Sequence, residues 1–438
     1  MVGARPPTER SPLLPHAAKR RAAAAAAQQS GEGLTAYQTS LNMINCFIGA
    51  GILTVPFAFR LAGYGAIIAL AIVAALNWLT SLLIGHALTT ASRLRPEVPR
   101  AKLDLKLLGV VAFGPIGERL IAIFFALELW FALETFILLT SINVNILTGA
   151  PRTLIIVIAG ALGTMSLSLP MSVISAFSGL SVWCMLGGLV ALIVCGSMSS
   201  YGAAFAGQEH ELVDVHALPA AMSIFLYCFS GLPCLPNIRQ AMHKTEEYSF
   251  CVHMSFIFAV CYYALIGMLG YYFFAGSTRE SFTENLVPYP GMSHHSIFSL
   301  FSLASAGLFA IKLQAGFPLY AAPVLQTLGF GSDGSSAPSS VAIARTAFAA
   351  VSIGFAIFAK DAVDGVAELM GAFLTMSTSV LFPVAAYASV RRVAGERLAW
   401  WEALGLGSIF VVGVIFGMLG TFDACQRIWN EEKQAGHL

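Results

Sequence analysis

Charged residues are scarce in this chain. Asp, Glu, Lys and Arg make up 11% of its 438 residues, whereas 57% are hydrophobic and the mean hydropathy is +0.76. Soluble domains carry about 25% charged residues, so this composition excludes a soluble fold and indicates a polytopic membrane protein. The net charge of +1 offers no basic surface for nucleic acid, and we expect no nucleic-acid partner.

Several motifs are also absent. There is no C-x-x-C among the eight cysteines, and all but Cys425 fall in or beside apolar stretches, so no disulfide framework is predicted. No N-x-S/T sequon occurs, and no apolar core follows Arg5 or Arg10 closely enough for a signal peptide. Nucleophile motifs, metal-ligand spacings and Gly-rich phosphate loops are missing as well. We therefore predict no enzyme activity, no catalytic residue, no metal site and no cofactor.

Apolar stretches dominate what is present. Eleven of them, about 17–30 residues each, are long enough to cross a hydrocarbon core of about 30 Å. They lie near 40–59, 63–91, 118–148, 153–170, 172–198, 213–237, 250–275, 296–326, 341–359, 363–390 and 400–424. The prediction is an all-α polytopic membrane protein with eleven transmembrane helices.

Lysine and arginine set the predicted orientation. With a cytosolic N-terminus, 17 of the 24 fall on the inner side and six on the outer side, while Lys312 lies within the eighth span. This positive-inside bias supports eleven spans, because an error of one would move every later loop to the other side. The C-terminus is then lumenal or extracellular.

Glycine and proline interrupt two of the spans. The first contains Gly49-Ala50-Gly51 and Pro56, and the sixth contains Gly231 and Pro236, with five residues from the last glycine to proline in both. Paired interruptions in two halves of a membrane protein point to a transporter substrate site. The alternative is a kinked helix whose small residues pack on a neighbour. Spans 1–5 and 6–10 each begin with a broken helix and run in opposite directions, which predicts an inverted five-plus-five repeat with one extra helix.

Separated motifs carry a family resemblance over roughly residues 36–425. The first span reads N-x-x-N-x-x-x-G-A-G-I-L-x-x-P-x-A, and further matches are Phe113-Gly114, Glu128-Leu129, Tyr227 to Gly231 and Pro236-Asn237. The chain resembles the amino acid/auxin permease family, especially the branch of Avt-type vacuolar transporters and the vesicular inhibitory amino acid transporter. The resemblance implies a fold similar to the bacterial leucine transporter, of the APC superfamily, and proton-coupled amino acid transport. Leu232-Pro233 departs from the branch's usual polar or aromatic pair.

The two interruptions suit the two charges of an amino acid. Amides exposed at Gly49, Ala50 and Gly51 would bind the carboxylate, because the backbone there supplies hydrogen-bond donors. Carbonyls freed around Phe229, Ser230 and Gly231 would bind the ammonium, with the Ser230 hydroxyl as a further acceptor. Phe229 is either a gate over the substrate or a packed core aromatic. Asn45 either holds the first break or joins helices.

Ionisable residues within spans mark function by default. Glu128 and Glu134 lie in the third span and Lys312 in the eighth, whereas Glu368 is predicted at the edge of the tenth. Six residues turn a helix by about 120° after wrapping, so the two glutamates do not share one face. The resemblance implies a cation site between spans 8 and 1, where the Lys312 ammonium would replace sodium and couple transport to protons. The alternative is a structural Lys–Glu pair.

These observations divide the chain into three parts. Residues 1–35 are predicted to be a disordered cytosolic tail and 426–438 a short lumenal tail. Residues 36–425 form the transporter, with repeats at about 40–198 and 213–390 and an extra helix at 400–424. The leading hypothesis is a proton-coupled transporter, an antiporter, of a vacuolar or lysosomal membrane, whose partners are amino acid, protons and lipid. The alternatives are a sodium-coupled or plasma-membrane transporter and an amino-acid-sensing receptor.

The N-terminal tail also carries a sorting pattern. Glu9, Leu13 and Leu14 match [D/E]-x-x-x-L-[L/I], an acidic dileucine pattern that directs membrane proteins to endosomes, lysosomes or vacuoles through a clathrin adaptor.

If this pattern is recognised, replacing Leu13 and Leu14 together by alanine should move the protein to the cell surface, because the adaptor loses both apolar contacts. Surface biotinylation of the full chain measures the shift, and Pro6→Ala in the same tail is the control. An unchanged intracellular distribution would show that the pattern is accidental.

Overall fold

The computed structural model describes residues 33–200, 210–287, 297–330, 338–360 and 369–435. The dileucine residues Glu9, Leu13 and Leu14, and also Glu368, lie outside these described residues. Regular structure in the described part is helical apart from one bridge between Leu34 and Met242. The prediction of an all-α fold is therefore confirmed.

The helices follow the predicted spans closely. In chain order they are α1 (Ala36–Phe47), a 3₁₀ turn (Ala50–Leu53), α2 (Val55–Ala62), α3 (Ala66–Leu94), α4 (Leu105–Thr148), α5 (Arg152–Ser166), α6 (Met171–Ser200), α7 (Leu218–Cys228), a 3₁₀ turn (Leu232–Cys234), α8 (Leu235–Ala241), α9 (Tyr248–Phe274), a short helix (Phe282–Asn285), α10 (Ile297–Thr327), α11 (Pro338–Phe358), a π-helix (Met370–Leu381) continuing as α12 (Phe382–Val393), and α13 (Trp400–Ala435). Further short 3₁₀ turns lie at Gly63–Gly65, Arg100–Lys102, Thr245–Glu247 and Ala275–Ser277.

Nine helical segments within the described residues are long and apolar enough to cross a membrane. α1 has 12 residues and α5 has 15, both shorter than the about 20 that a straight span needs. The polytopic membrane architecture is thus present, while the count of eleven spans and the inverted repeat stay predictions.

Three boundaries differ from the prediction. α4 begins at Leu105 rather than near 118, because the Asp104 side chain accepts a hydrogen bond from the Leu107 amide at 3.0 Å and caps the helix. The helix then bends at Gly114, which has a φ of 73° and directly precedes Pro115. α13 runs to Ala435, into the predicted C-terminal tail.

The third difference lies at the N-terminus. The Leu34 amide donates to the Ala241 carbonyl at 2.8 Å, and the His243 amide donates to the Leu34 carbonyl at 2.9 Å. Residues 33–35, predicted to belong to the tail, are therefore part of the folded domain and tie the start of α1 to the end of α8.

Basic loops gather at this end of the bundle, which we call the N-terminal end. Arg100 donates to the carbonyl of Met242, and Lys106 donates to that of Thr327 at 2.5 Å. α3, with 29 residues and a length of about 43 Å, leads from this end to the other. There Arg60 donates to Thr278 and Arg152 to Lys360, each at 2.7 Å. Loops predicted to share a side thus do contact one another.

The broken helices occupy the centre of the bundle. Over the most apolar stretch of α7 and α8, 83% of the residues are buried, against 11% in α13. α13 consequently lies at the periphery, and its apolar side chains are exposed on the outside of the bundle. Breaks in the most buried helices place freed backbone groups where water does not reach them.

Candidate functional site

Two breaks face each other at the centre. The first break comprises residues 48–54, between α1 and α2, and the second break comprises residues 229–234, between α7 and α8. A Cβ on Gly51 would lie 2.8 Å from the Cα of Cys228, and one on Gly231 would lie 2.4 Å from the carbonyl oxygen of Cys46. Both positions need glycine because the two backbones touch. These two glycines therefore fit the alternative prediction, in which small residues allow a kinked helix to pack closely on its neighbour.

Side-chain donors satisfy the carbonyls around the first break. These donors come from α9 and α10, and three successive carbonyls each receive one. The pairs are Tyr320 Oη to Cys46 O (2.5 Å), Tyr263 Oη to Phe47 O (2.8 Å) and Lys312 Nζ to Ile48 O. Tyr263 Oη also lies 3.0 Å from the Cys228 carbonyl, so one hydroxyl joins the chain just before each break.

The amides of the first break lack such partners. Within the described part of the chain, the N–H groups of Gly49, Ala50 and Gly51 have no hydrogen-bond acceptor. All three residues are buried. A buried amide without an acceptor is costly, which makes this row of donors ready for an anionic or carbonyl ligand.

Proline leaves two carbonyls unpaired in the second break. A helical carbonyl accepts a hydrogen bond from the amide three or four residues later. Pro233, which has no N–H, lies three residues after Ser230 and four residues after Phe229. Neither carbonyl receives a hydrogen bond from the described residues. The departure at Leu232-Pro233 therefore supplies free acceptors at the position predicted to bind an ammonium.

Two predicted site residues have other contacts. The Phe229 ring stacks on Phe256 at 5.6 Å and meets Tyr263 edge-on at 5.3 Å, so it is a packed core aromatic in this conformation. The Asn45 amide donates to Ser178 at 3.2 Å and accepts from Ser181 at 2.7 Å. Asn45 therefore joins α1 to α6 instead of holding the break.

Lys312 and the two glutamates lie apart. Lys312 is fully buried, and no carboxylate of the described residues lies within 4.0 Å of its ammonium. Glu128 accepts from Thr378 of the π-helix at 2.5 Å. Glu134 lies beside Ser352 of α11. The glutamates thus face different helices, as their spacing predicted, and the Lys–Glu pair of the alternative does not form among the described residues.

Sequence reasoning missed the tyrosines and the π-helix. Tyr263 and Tyr320 lie in apolar spans, where a buried hydroxyl needs a hydrogen-bond acceptor. That requirement could have marked both tyrosines as donors to buried carbonyls. The 12-residue π-helix around Thr378 has no comparable sequence signature, although π-helical turns are frequent at functional sites.

An apolar cleft lies away from the two breaks. It has a volume of about 660 Å³ and is lined almost wholly by apolar side chains of α4, α5, α6 and α10, including Leu162, Phe177 and Ile311. Its side chains are partly exposed on the membrane-facing surface, so we do not assign the polar substrate to it.

The chain matches known transporters over most of its length. The family model described as transmembrane amino acid transporter protein matches residues 32–425. Amino acid transporter AVT1I of Arabidopsis thaliana is 24% identical over 408 residues, covering 90% of this chain and 95% of the relative. The vesicular inhibitory amino acid transporter of Rattus norvegicus is 22% identical over 356 residues, covering 76% and 65%.

Solved structures show the same fold at low identity. Mhp1, a nucleobase-cation-symport-1 family transporter, superposes with a TM-score of 0.59 at 13% identity, covering 91% of this chain and 94% of its own. A manganese transporter of Eremococcus coleocola gives 0.57 at 13% identity, covering 89% and 85%. Both have the leucine-transporter fold that the family resemblance implied.

The contact between the breaks gives a stability prediction. Gly51→Ala and Gly231→Ala should each destabilise the protein by about 1–3 kcal/mol, because the new methyl group overlaps backbone atoms that cannot move independently. Thermal unfolding in detergent, followed by size-exclusion chromatography, measures the loss. Gly354→Ala is the matched control, since nothing lies within 4 Å of that position. Equal melting temperatures for all three variants would contradict the close contact.

Proposed function

Since the chain belongs to the transmembrane amino acid transporter family, we propose that it is a secondary transporter that moves amino acids by alternating access, coupled to protons. Its named relatives are transporters rather than enzymes. The observation that carries the proposal is the facing pair of breaks, with unpaired amides in one and unpaired carbonyls in the other.

The substrate would lie between these two sets of groups. Its carboxylate would accept from the amides of Gly49, Ala50 and Gly51, and its ammonium would donate to the carbonyls of Phe229 and Ser230. The breaks touch through Gly51 and Gly231 in this conformation. Binding therefore requires the half-helices to separate, which is the movement that alternating access needs.

Lys312 is the proposed coupling residue. Its ammonium donates to the Ile48 carbonyl, which immediately precedes the row of unpaired amides. In this position the ammonium replaces a bound metal cation between α10 and the first break. Loss of its proton would remove the positive charge and so weaken the hydrogen bond to the Ile48 carbonyl, which would change how that backbone is held.

Glu128 and Glu134 are the proposed partners in proton movement. One oxygen of Glu128 and both oxygens of Glu134 are buried without a hydrogen-bond partner in the described residues. Neither contacts Lys312, so each would act through water or a change of conformation. Glu128 is the stronger candidate because its partner Thr378 belongs to a π-helix, a conformation that is frequent at functional sites.

An endomembrane location is also part of the proposal. A relative is named as a vesicular transporter, and the predicted dileucine pattern at Glu9, Leu13 and Leu14 suits adaptor sorting. The predicted orientation places the N-terminal end in the cytosol, in agreement with the basic residues gathered there.

Purified protein in proteoliposomes tests the function directly. Radiolabelled amino acids should accumulate when a pH gradient is imposed, and a protonophore should abolish the accumulation because it dissipates that gradient. A sodium gradient without a pH gradient is the control. Accumulation driven by sodium alone would favour the sodium-coupled alternative, and binding without flux would favour a receptor.

A lysine variant tests the coupling. Lys312→Met should lose accumulation driven by the pH gradient but keep exchange of labelled for unlabelled amino acid, because the substrate groups remain. The variant leaves the Ile48 carbonyl without its donor, at a cost of about 1–3 kcal/mol, but no buried carboxylate loses its partner, a loss that costs about 3–5 kcal/mol in buried pairs, so it should fold. Counterflow and net uptake are measured on the same vesicles, with Lys360→Met as the control. Wild-type accumulation by folded Lys312→Met would rule this lysine out as the coupling residue.

A further inference from the structure

A second polar pocket lies at the N-terminal end, away from the breaks. Its volume is about 410 Å³, and it is bordered by the end of α3, the end of α8, the start of α9 and the loop after α12. Its lining includes His86, Arg93, Thr90, Arg239, Ser249 and Glu246. Nothing in the proposed transport cycle uses these groups.

Arg239 brings an unneutralised charge to the pocket. One terminal nitrogen donates to the Thr89 hydroxyl at 2.8 Å, and the guanidinium lies 5.7 Å from the centre of the Tyr248 ring. The Nε of Arg239 is buried without an acceptor, and no described carboxylate lies within 4.0 Å of this side chain. The described protein groups thus leave part of this cation without a hydrogen-bond acceptor, which is costly for a buried charge.

Arg100 adds a second charge beside the first. Its guanidinium donates to the carbonyls of Arg239 and Met242, and its Nε is also buried without an acceptor in the described residues. Partial burial lowers the pKa of Arg100 from its usual value. The carbonyl end of α8 offsets part of this charge, because a helix C-terminus carries only about half a negative charge.

The carboxylates of the pocket do not balance these arginines. Glu396 already accepts from Arg391 at 3.0 Å, and Glu246 is exposed. Arg93 is exposed and has no carboxylate partner among the described residues. The lining therefore combines Arg93 and Arg239, neither of which is paired with a described carboxylate, with hydroxyl and imidazole groups. Of its two exposed carboxylates, Glu396 is already paired and only Glu246 opposes the arginines.

We propose that this pocket binds a phosphate group, supplied by a lipid headgroup or by a free phosphate. Guanidinium groups match phosphate oxygens in charge and in geometry, and hydroxyl groups add further donors. The pocket lies at the ends of long apolar helices, where lipid headgroups would meet a membrane-spanning bundle. The predicted orientation places it on the cytosolic side, and basic pockets between helices on that side suit anionic lipids. Because Arg239 belongs to α8, a bound phosphate would restrain the half-helix that follows the second break.

Binding to the purified full chain tests the proposal independently of transport. Calorimetry would compare dioctanoyl phosphatidylinositol 4-phosphate, inorganic phosphate and dioctanoyl phosphatidylcholine as the control lipid. The phosphorylated lipid should bind, and Arg93→Gln should weaken binding at least tenfold, as should Arg239→Gln. Arg95→Gln is the matched control, because Arg95 is paired with Glu97 at 3.5 Å and does not line the pocket.

The two sources of phosphate give different results. Tighter binding of the phosphorylated lipid than of inorganic phosphate assigns the pocket to a headgroup, and equal affinities assign it to free phosphate. Arg93 is exposed, so Arg93→Gln keeps the test valid if Arg239→Gln does not fold. The proposal is overturned if no phosphate probe binds, or if Arg95→Gln loses as much affinity as Arg93→Gln.

Discussion

Every backbone polar group inside a membrane needs a partner from the protein, and this requirement governs the centre of the molecule. Two helices break where they are most deeply buried, so the partners come from side chains of neighbouring helices. Three successive carbonyls at the end of α1 and the start of the first break accept hydrogen bonds from Tyr320, Tyr263 and Lys312. The amides of Gly49 to Gly51 have no acceptor within the described residues, and this asymmetry leaves a row of unpaired donors in the first break.

The donors also connect elements that are distant in sequence. Tyr263 lies on α9 and contacts the carbonyls of both Phe47 and Cys228, so a shift of either break disturbs the same hydroxyl. Lys312 lies on α10 and holds the next carbonyl along the chain. Under the proposed function, substrate and proton therefore act on adjacent peptide groups, which gives their coupling a short physical route.

Much of the fold could be predicted from the sequence, because membrane-spanning helices are recognisable from the length and hydropathy of their apolar stretches. The two breaks were also predictable, since glycine and proline weaken a helix at known positions. The hydrogen-bond partners of the buried polar groups could not be predicted. Asn45 illustrates the limit. From the sequence, its side-chain amide could either hold the first break or join two helices. Only the packing of α6 beside α1 shows that it forms hydrogen bonds with Ser178 and Ser181. Lys312 and the glutamates likewise needed the packing of α4, α10 and α11 to show that they are separate.

Closure of the two breaks on each other has one further consequence. Gly51 meets Cys228 and Gly231 meets Cys46, so the contact is reciprocal and leaves no room for a substrate between them. Under the proposed function, opening at the N-terminal end would move α1 relative to α8, and the bridge between Leu34 and Met242 ties these two half-helices together. At the other end, α2 packs closely on α9, where a Cβ on Gly270 would lie 2.6 Å from Pro56. Backbone hydrogen bonds tie that end as well, because the Tyr64 amide donates to the Glu211 carbonyl at 3.3 Å and the Gly65 amide donates to the Leu212 carbonyl at 2.8 Å. Under the proposed function, opening at either end would therefore break backbone hydrogen bonds in addition to separating apolar surfaces.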